Sequence, residues 1–261
     1  MITLVGHGYI GHAIAKRLGE EGVFAWVRHT DSWNPTGPVI NASGVTGFPN
    51  VDACESNAPE TMEGNVYYPL QVEKGCEWPV VHISSGCVYN GHKPGGWTEE
   101  DAPNFTGSIY SLSKVLEQKA LARFMDKSYL LRVRMPFGTQ NHPKNLLTKF
   151  SNYPTLIDSV NSLSRVEDVA DVAVWFAQNL PKPGIYNVVN PGEIWTHEII
   201  EMMGLKKEWF SEEGFKKVTK APRSFCVLNS DKLQKIHPLD EVRTALKDCL
   251  IPETLAEPAA V

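Results

Sequence analysis

The chain opens ITLVGHGYIGHAIAKRL, and this stretch constrains the fold more than any other. A short apolar run, ITLV, reads as a buried strand. Ile10 to Glu21 then carries helical spacing through Ile10, Ile14 and Leu18. Between them lies GHGYIG, Gly6 to Gly11. Glycines there permit the tight turn and let a pyrophosphate approach the backbone at the N-terminus of the helix. A lone G-x-G-x-x-G is a weak signal, but a strand before it and a helix after it supply the confirming context. Gly6, Gly8, Tyr9, Ile10 and Gly11 are therefore expected to form a dinucleotide-binding loop.

The rest of the first half keeps the same alternation of short β-like runs and helical segments, which implies a parallel sheet. VFAWV, PVINAS, PVVHIS and YLLRVRM read as the second to fifth strands. The segments Pro59 to Gly75 and Ser108 to Met125 read as helices. After Pro136, prolines and glycines become frequent; KNLLTKF and VEDVADVAVWFAQNL look helical, and GIYNVVN reads as a strand. The expected class is α/β, a Rossmann-type doubly wound parallel sheet with a smaller C-terminal substrate lobe. The expected core covers residues 1–135, with 160–182 returning to it. The lobe takes 136–159 and 183–251, and 252–261 is expected to be a frayed tail.

Bulk properties limit the partners. A net charge of −5 gives no polycationic surface for nucleic acid or anionic membrane. No apolar run approaches the ~18 residues of a membrane span. Met1 leads directly into the first strand, leaving no room for a secretory leader, so the expected location is cytoplasmic. The five cysteines are odd in number, widely spaced and free of any CxxC, which reads as reduced thiols. No metal is expected.

Two features carry chemistry. Tyr110 and Lys114, in YSLSK, stand four residues apart, on one helical face. A phenol titrates near ~10, and a neighbouring ammonium would lower it and make Tyr110 a workable general acid. The fourth strand ends in HISSGCVY, which places Ser84 and Ser85 at the carboxyl end of a parallel strand, where open α/β sheets build their sites. Either hydroxyl could bond a substrate carbonyl while Tyr110 protonates it.

The end of the second strand bears on the cofactor. An acidic residue there would hold the ribose hydroxyls of NAD; this chain has Arg28 and His29, with Asp31 displaced into the loop. Arg28 suits a 2′-phosphate, so NADPH is expected, with NADH possible. Asn41, Ala42 and Ser43, in NASG, form a small-residue turn that lets the cofactor ribose approach, and Tyr110 and Lys114 complete the cofactor set. The segment between Val27 and Val39 is too short for a full second helix.

The glycine loop, SSGCVY, YSLSK, RVEDVADVA and GIYNVVN together resemble the extended short-chain dehydrogenase/reductase family. NASGVTGFPNVDACES, EDAPNFTGSIYSLSK, LRVRMP, NLLTK, GIYNVVNPG and APRS are similar to the nucleotide-rhamnose synthases within it, over about Asn41 to Ser224. By that analogy Ser85 is the preferred hydroxyl. The resemblance implies 3,5-epimerisation and NADPH-dependent 4-keto reduction of UDP-4-keto-6-deoxyglucose to UDP-β-L-rhamnose. It implies that Cys87, in SGC, and Lys149, in NLLTK, serve epimerisation, one as base and one as acid, in an order left open. Thr46, Asn104, Arg134 and Arg223 are the expected substrate-binding residues. The expected partners are a nucleotide-linked 4-keto-6-deoxyhexose, UDP-linked by this resemblance, a functional link to a nucleotide-glucose 4,6-dehydratase, and a second copy in a homodimer. The tighter glycine spacing departs from the GxxGxxG of much of the family, which weakens the carry-over at the cofactor.

Three rivals differ in their residue requirements. A plain 4-reductase needs neither Cys87 nor Lys149. A protein similar to GDP-fucose synthase would share the SxC segment but not NFTGS and NLLTK. A non-catalytic NAD(P)-binding regulatory protein would not need Ser85, Tyr110 and Lys114 together, and all three are present.

Overall fold

A computed structural model describes residues 1–20, 24–27 and 34–250. Arg28, His29, Asp31 and the tail from 251 lie outside the described residues. The first part of the chain forms β1 (Ile2–Val5), α1 (Tyr9–Gly19), β2 (Phe24–Val27) and β3 (Val39–Asn41). After α2 (Asp52–Ser56), the stretch read as one helix over Pro59 to Gly75 is segmented into α3 (Ala58–Met62), a π turn at Glu63–Tyr67 and α4 (Tyr68–Lys74). Then follow β4 (Val80–Ser85), α5 (Ile109–Leu121) and β5 (Tyr129–Val133). Ser108 starts α5 sharply, its side chain accepting a hydrogen bond from the Ser111 N–H at 3.1 Å.

Past β5 come β6 (Pro136–Phe137), α6 (Leu146–Asn152), β7 (Thr155–Ile157), β8 (Val160–Asn161), β9 (Ser164–Arg165) and α7 (Val166–Asn179). The last elements are β10 (Gly184–Asn187), β11 (Ile194–Trp195), α8 (Thr196–Met202), β12 (Glu208–Phe210), α9 (Glu212–Val218), α10 (Asp231–Gln234) and α11 (Val242–Leu250). The helix expected at Lys144 begins two residues later, because Asn145 caps it by accepting from the Leu147 N–H at 3.0 Å.

Six strands form one sheet in the order β10-β5-β4-β3-β1-β2, with every pairing parallel. The two faces follow from strand alternation. Leu4, Ile40, Val81 and Leu131 pack with Ile14 of α1 and Val169, Ala173 and Phe176 of α7. Val5, Val39 and Val80 turn the other way, onto Val72 of α4. Gly184–Asn187, which the sequence reading placed with the lobe, is the outer strand of this sheet, in register with Tyr129–Arg132. The lobe has its own apolar cluster, in which Phe137, Leu147 and Phe150 meet Ile194, Ile199, Ile200, Val242 and Leu246.

The order reverses at β1, which has β2 on one side and β3 on the other. Open α/β sheets bind ligands in the crevice at such a switch point, beyond the carboxyl ends of the strands. The ends of β1, β3, β4 and β5 therefore define where a site belongs. No helix among the described residues is long and apolar enough to cross a membrane, and no cluster among them is suited to hold a metal ion.

Candidate active site

A cavity of about 1120 Å³ opens over those strand ends, roofed by the lobe. It exceeds the volume usual for a single drug-sized ligand. Gly8, Tyr9, Ile10, Ala42 and Ser43 line one end. Gly6 has φ +105°, a conformation that favours glycine, and a methyl on it would sit 2.6 Å from the Ser43 nitrogen. A methyl on Gly11 would meet the Gly6 carbonyl oxygen at 2.4 Å, whereas one on Gly8 would meet nothing within 4 Å. So Gly6 and Gly11 hold the loop against β3 and against itself, and Gly8 leaves free space at the start of α1. That cradle fits a pyrophosphate. Gly11→Ala is expected to lower stability by about 1–3 kcal/mol through steric displacement. Gly8→Ala is expected to keep its unfolding midpoint and weaken NADPH binding by about tenfold or more. Thermal unfolding and a fluorescence titration of each variant check the contrast.

Behind this end, Asn41 is buried, bonding to Ser43 through its carbonyl and to His82 through its amide. His82 in turn bonds Glu73, so a buried polar chain supports the turn at Ser43. Tyr9 stacks on His142, with centroids 4.6 Å apart, and so ties the glycine loop to the lobe.

In the centre, Ser85 ends β4, and Tyr110 and Lys114 project from the first two turns of α5; all three are buried and line the cavity. Ser85 Oγ accepts from the Cys87 N–H at 3.1 Å and is hydrogen-bonded to Tyr110. Burial pushes the Tyr110 phenol above its ordinary value, Cys87 adds to the effect, and the bond with Ser85 opposes it. The sequence reading has Lys114 lowering this phenol. Instead, Lys114 Nζ is tied to Glu117 Oε1 at 3.0 Å, so the ammonium is already neutralised. Ser84, the alternative hydroxyl, donates to Glu117 Oε2 at 2.5 Å.

Cys87 and Lys149 line the same cavity, Cys87 just past β4 and Lys149 on α6. Arg134 Nη1 donates to Cys87 Sγ at 2.8 Å. Its Nη2 donates to Asn161 Oδ1 and to the Ser224 carbonyl, both at 2.5 Å. Arg134, expected to bind substrate, is thus buried and aimed at the thiol. Burial pushes Lys149 down to about 8, with the positive charges of Lys144 and Arg223 adding to the effect.

The other expected substrate residues divide. Thr46 is exposed to the cavity. Arg223 lines it too, but its guanidinium is held in two bonds by Asp52, at 2.8 and 2.9 Å. Asn104 does not reach the cavity: its amide and carbonyl bond the backbone of Asn90, at 3.0 and 2.9 Å, because that loop has no strand partner of its own there. Sequence reasoning missed Lys144, which reaches from the lobe to the Gly47 carbonyl and lies over the Phe48 ring. It also missed Asn65, in the π turn, which grips both backbone groups of Val45 at 2.8 and 2.9 Å and so shapes the turn carrying Thr46. A π turn is a frequent mark of a functional site, but nothing in the local sequence announces it.

Residues 6–254 match the family described as RmlD substrate binding domain. A trifunctional UDP-glucose 4,6-dehydratase/UDP-4-keto-6-deoxy-D-glucose 3,5-epimerase/UDP-4-keto-L-rhamnose-reductase of Arabidopsis thaliana is 37% identical over 259 residues, or 88% of this chain. This chain covers 38% of that relative's length. A bifunctional dTDP-4-dehydrorhamnose 3,5-epimerase/dTDP-4-dehydrorhamnose reductase from the same plant is 37% identical over 217 residues, covering 77% of this chain and 71% of its own. The crystal structure of a UDP-rhamnose synthase from Acanthamoeba polyphaga mimivirus superposes with a TM-score of 0.88 at 26% identity, covering 96% of this chain and 98% of that one.

Proposed function

The chain belongs to the RmlD substrate binding domain family, and from that premise we propose that it is an NADPH-dependent reductase of a nucleotide-linked 4-keto-6-deoxyhexose that also epimerises carbons 3 and 5. The proposed overall reaction converts UDP-4-keto-6-deoxyglucose to UDP-β-L-rhamnose. One observation carries this reading: a single cavity is lined by the Ser85, Tyr110 and Lys114 set and by the Cys87 and Lys149 pair, beside the glycine loop. A plain reductase has no use for the second group.

The glycine loop, Ala42 and Ser43 would hold the nicotinamide dinucleotide, with Lys114 and Tyr110 at its reactive end; Arg28 is our proposed partner for its 2′-phosphate. When bound, it supplies the hydride for carbon 4. Ser85 bonds the carbon 4 carbonyl, and Tyr110 gives its proton to that oxygen. Before reduction, the same ketone acidifies the hydrogens on carbons 3 and 5. Inversion needs a base on one face and an acid on the other. Cys87, which faces the Arg134 guanidinium, is the base in this scheme, and Lys149 is the acid. Thr46, Arg223 and Lys144 line the part of the cavity left for the nucleotide. The 4-keto substrate must come from a dehydrating step on a nucleotide-linked glucose, the reaction class of a 4,6-dehydratase.

The acid role of Lys149 has a signed pH dependence. With its value near 8, Lys149 is mainly ammonium at neutral pH and loses its proton as pH rises past about 8. Proton exchange at carbons 3 and 5 is therefore expected to decline above about pH 8. An exchange rate that rises through the same range would make Lys149 the base. The function itself is tested by supplying UDP-4-keto-6-deoxyglucose and NADPH and separating the products by chromatography. A UDP-rhamnose peak formed in step with NADPH loss is expected, and its absence would remove the proposal.

A further inference from the structure

The protein carries a net charge of −5, yet its cavity wall is basic. Lys114, Arg134, Lys144, Lys149 and Arg223 line it, against the carboxylates of Asp52 and Glu60. A positive cavity in an acidic protein selects an anion by its local field. Most of these cations are already committed. Lys114 is paired with Glu117 at the cofactor end, and Arg134 is turned to Cys87 and the Asn161 side chain. Lys149 is the acid of the scheme above. Arg223 has its guanidinium held in two bonds by Asp52, so its fork already has a carboxylate partner.

Lys144 differs. It donates to the Gly47 carbonyl, and its ammonium lies 5.9 Å from the centre of the Phe48 ring. Both of these partners are neutral. Burial pushes the ammonium below its ordinary value; the Cys54 thiol opposes this, and no carboxylate among the described residues does so. An ammonium has three N–H donors, and the carbonyl takes one. That carbonyl belongs to a fixed turn, because Asn65 grips the backbone of Val45 two residues before it. Lys144 is thus held in place without being neutralised. Partly burying an unpaired ammonium costs free energy, and an anionic ligand offsets that cost.

We propose that Lys144 binds the diphosphate of the nucleotide-linked sugar, and that the Gly47 carbonyl holds its ammonium in place to do so. The proposal rests on the reading of this cavity as a nucleotide-sugar site. The ammonium is a compact charge, and its two remaining donors suit oxygens of either phosphate. Lys149 follows five residues later in the chain. A diphosphate held at Lys144 therefore fixes the attached sugar relative to the acid that serves it. Arg223, tied to Asp52, contributes less to phosphate binding than Lys144 does.

The test is calorimetric titration of the full chain with UDP and with uridine, in the presence of saturating NADPH, which keeps UDP out of the cofactor cradle. Wild type is expected to bind UDP more tightly than uridine. Lys144→Met should weaken UDP binding by about tenfold or more, as for loss of a hydrogen bond to a charged group, and leave uridine binding unchanged. Lys144→Arg, which keeps the charge, should retain most of the preference for UDP. D52N combined with R223Q removes that ion pair whole and should change the preference less than K144M does. An unmoved UDP-to-uridine ratio in K144M overturns the proposal, and so does a larger loss in the D52N and R223Q double variant. Lys144→Gln keeps a donor for Gly47 without the charge; if K144M does not fold, an unmoved ratio in K144Q overturns the proposal instead. A wild-type protein that binds neither UDP nor dTDP better than the matching nucleoside would sink the nucleotide-sugar reading itself. A wild-type preference that survives in K144M sinks only the role of Lys144.

Discussion

Tyr110→Phe is expected to lower NADPH-dependent reduction by about 10²–10⁴-fold while leaving the fold and NADPH binding in place. The phenol is hydrogen-bonded to Ser85, the residue that would hold the carbon 4 carbonyl. Its ring is buried against the cavity wall, and phenylalanine keeps that ring. Lys114 stays fixed by Glu117, so the cofactor end should be undisturbed. Turnover by NADPH absorbance and affinity by fluorescence titration separate the two effects. A variant that keeps more than about a tenth of wild-type turnover would show that the proton comes from another group.

The second large effect is expected at Cys87 and Lys149. Cys87→Ser and Lys149→Ala should each slow deuterium entry at carbons 3 and 5 by at least about 100-fold, as expected for loss of a general acid or base. Both variants should still consume NADPH with the 4-keto-L-rhamnose nucleotide, which is already epimerised. Serine at 87 leaves the Arg134 donor an acceptor, so the buried network through Asn161 and Ser224 survives. Asn145, not Lys149, caps α6, accepting from the Leu147 N–H, so truncating Lys149 leaves the start of that helix in place. Proton NMR in heavy water reads exchange and NADPH absorbance reads reduction, one on each substrate. Loss of both activities together would mean that the pair acts on substrate binding rather than on proton transfer.

What the sequence disclosed is what local rules can carry. Strand-glycine-helix order located the loop at Gly6 to Gly11. Four-residue spacing put Tyr110 and Lys114 on one face of α5, and strand-end position put Ser84 and Ser85 nearby, the family resemblance alone preferring Ser85. The same rules could not reach contacts between distant positions. Arg134 meets Cys87 across 47 positions, and Lys144 meets Gly47 across 97. Sequence reading makes Arg134 and Arg223 substrate-binding residues and could not show that Asn161 and Asp52, far away in sequence, hold their guanidinium groups. Asn104 was misplaced for a related reason: its proximity to α5 in sequence suggested the cavity, yet its amide serves the Asn90 loop. Glu117 was visible as a residue but not as a partner of Lys114, since a three-residue Lys–Glu spacing on a helix ordinarily describes a solvated pair.

The central claim is that one cavity both epimerises and reduces. Its most direct test is to incubate the protein with UDP-4-keto-6-deoxyglucose and NADPH in heavy water, following NADPH absorbance and the proton NMR spectrum together. The account predicts NADPH consumption with deuterium at carbons 3 and 5 of the rhamnose product. NADPH consumption with no deuterium at either carbon would contradict it, leaving a reductase in which Cys87 and Lys149 play no catalytic part.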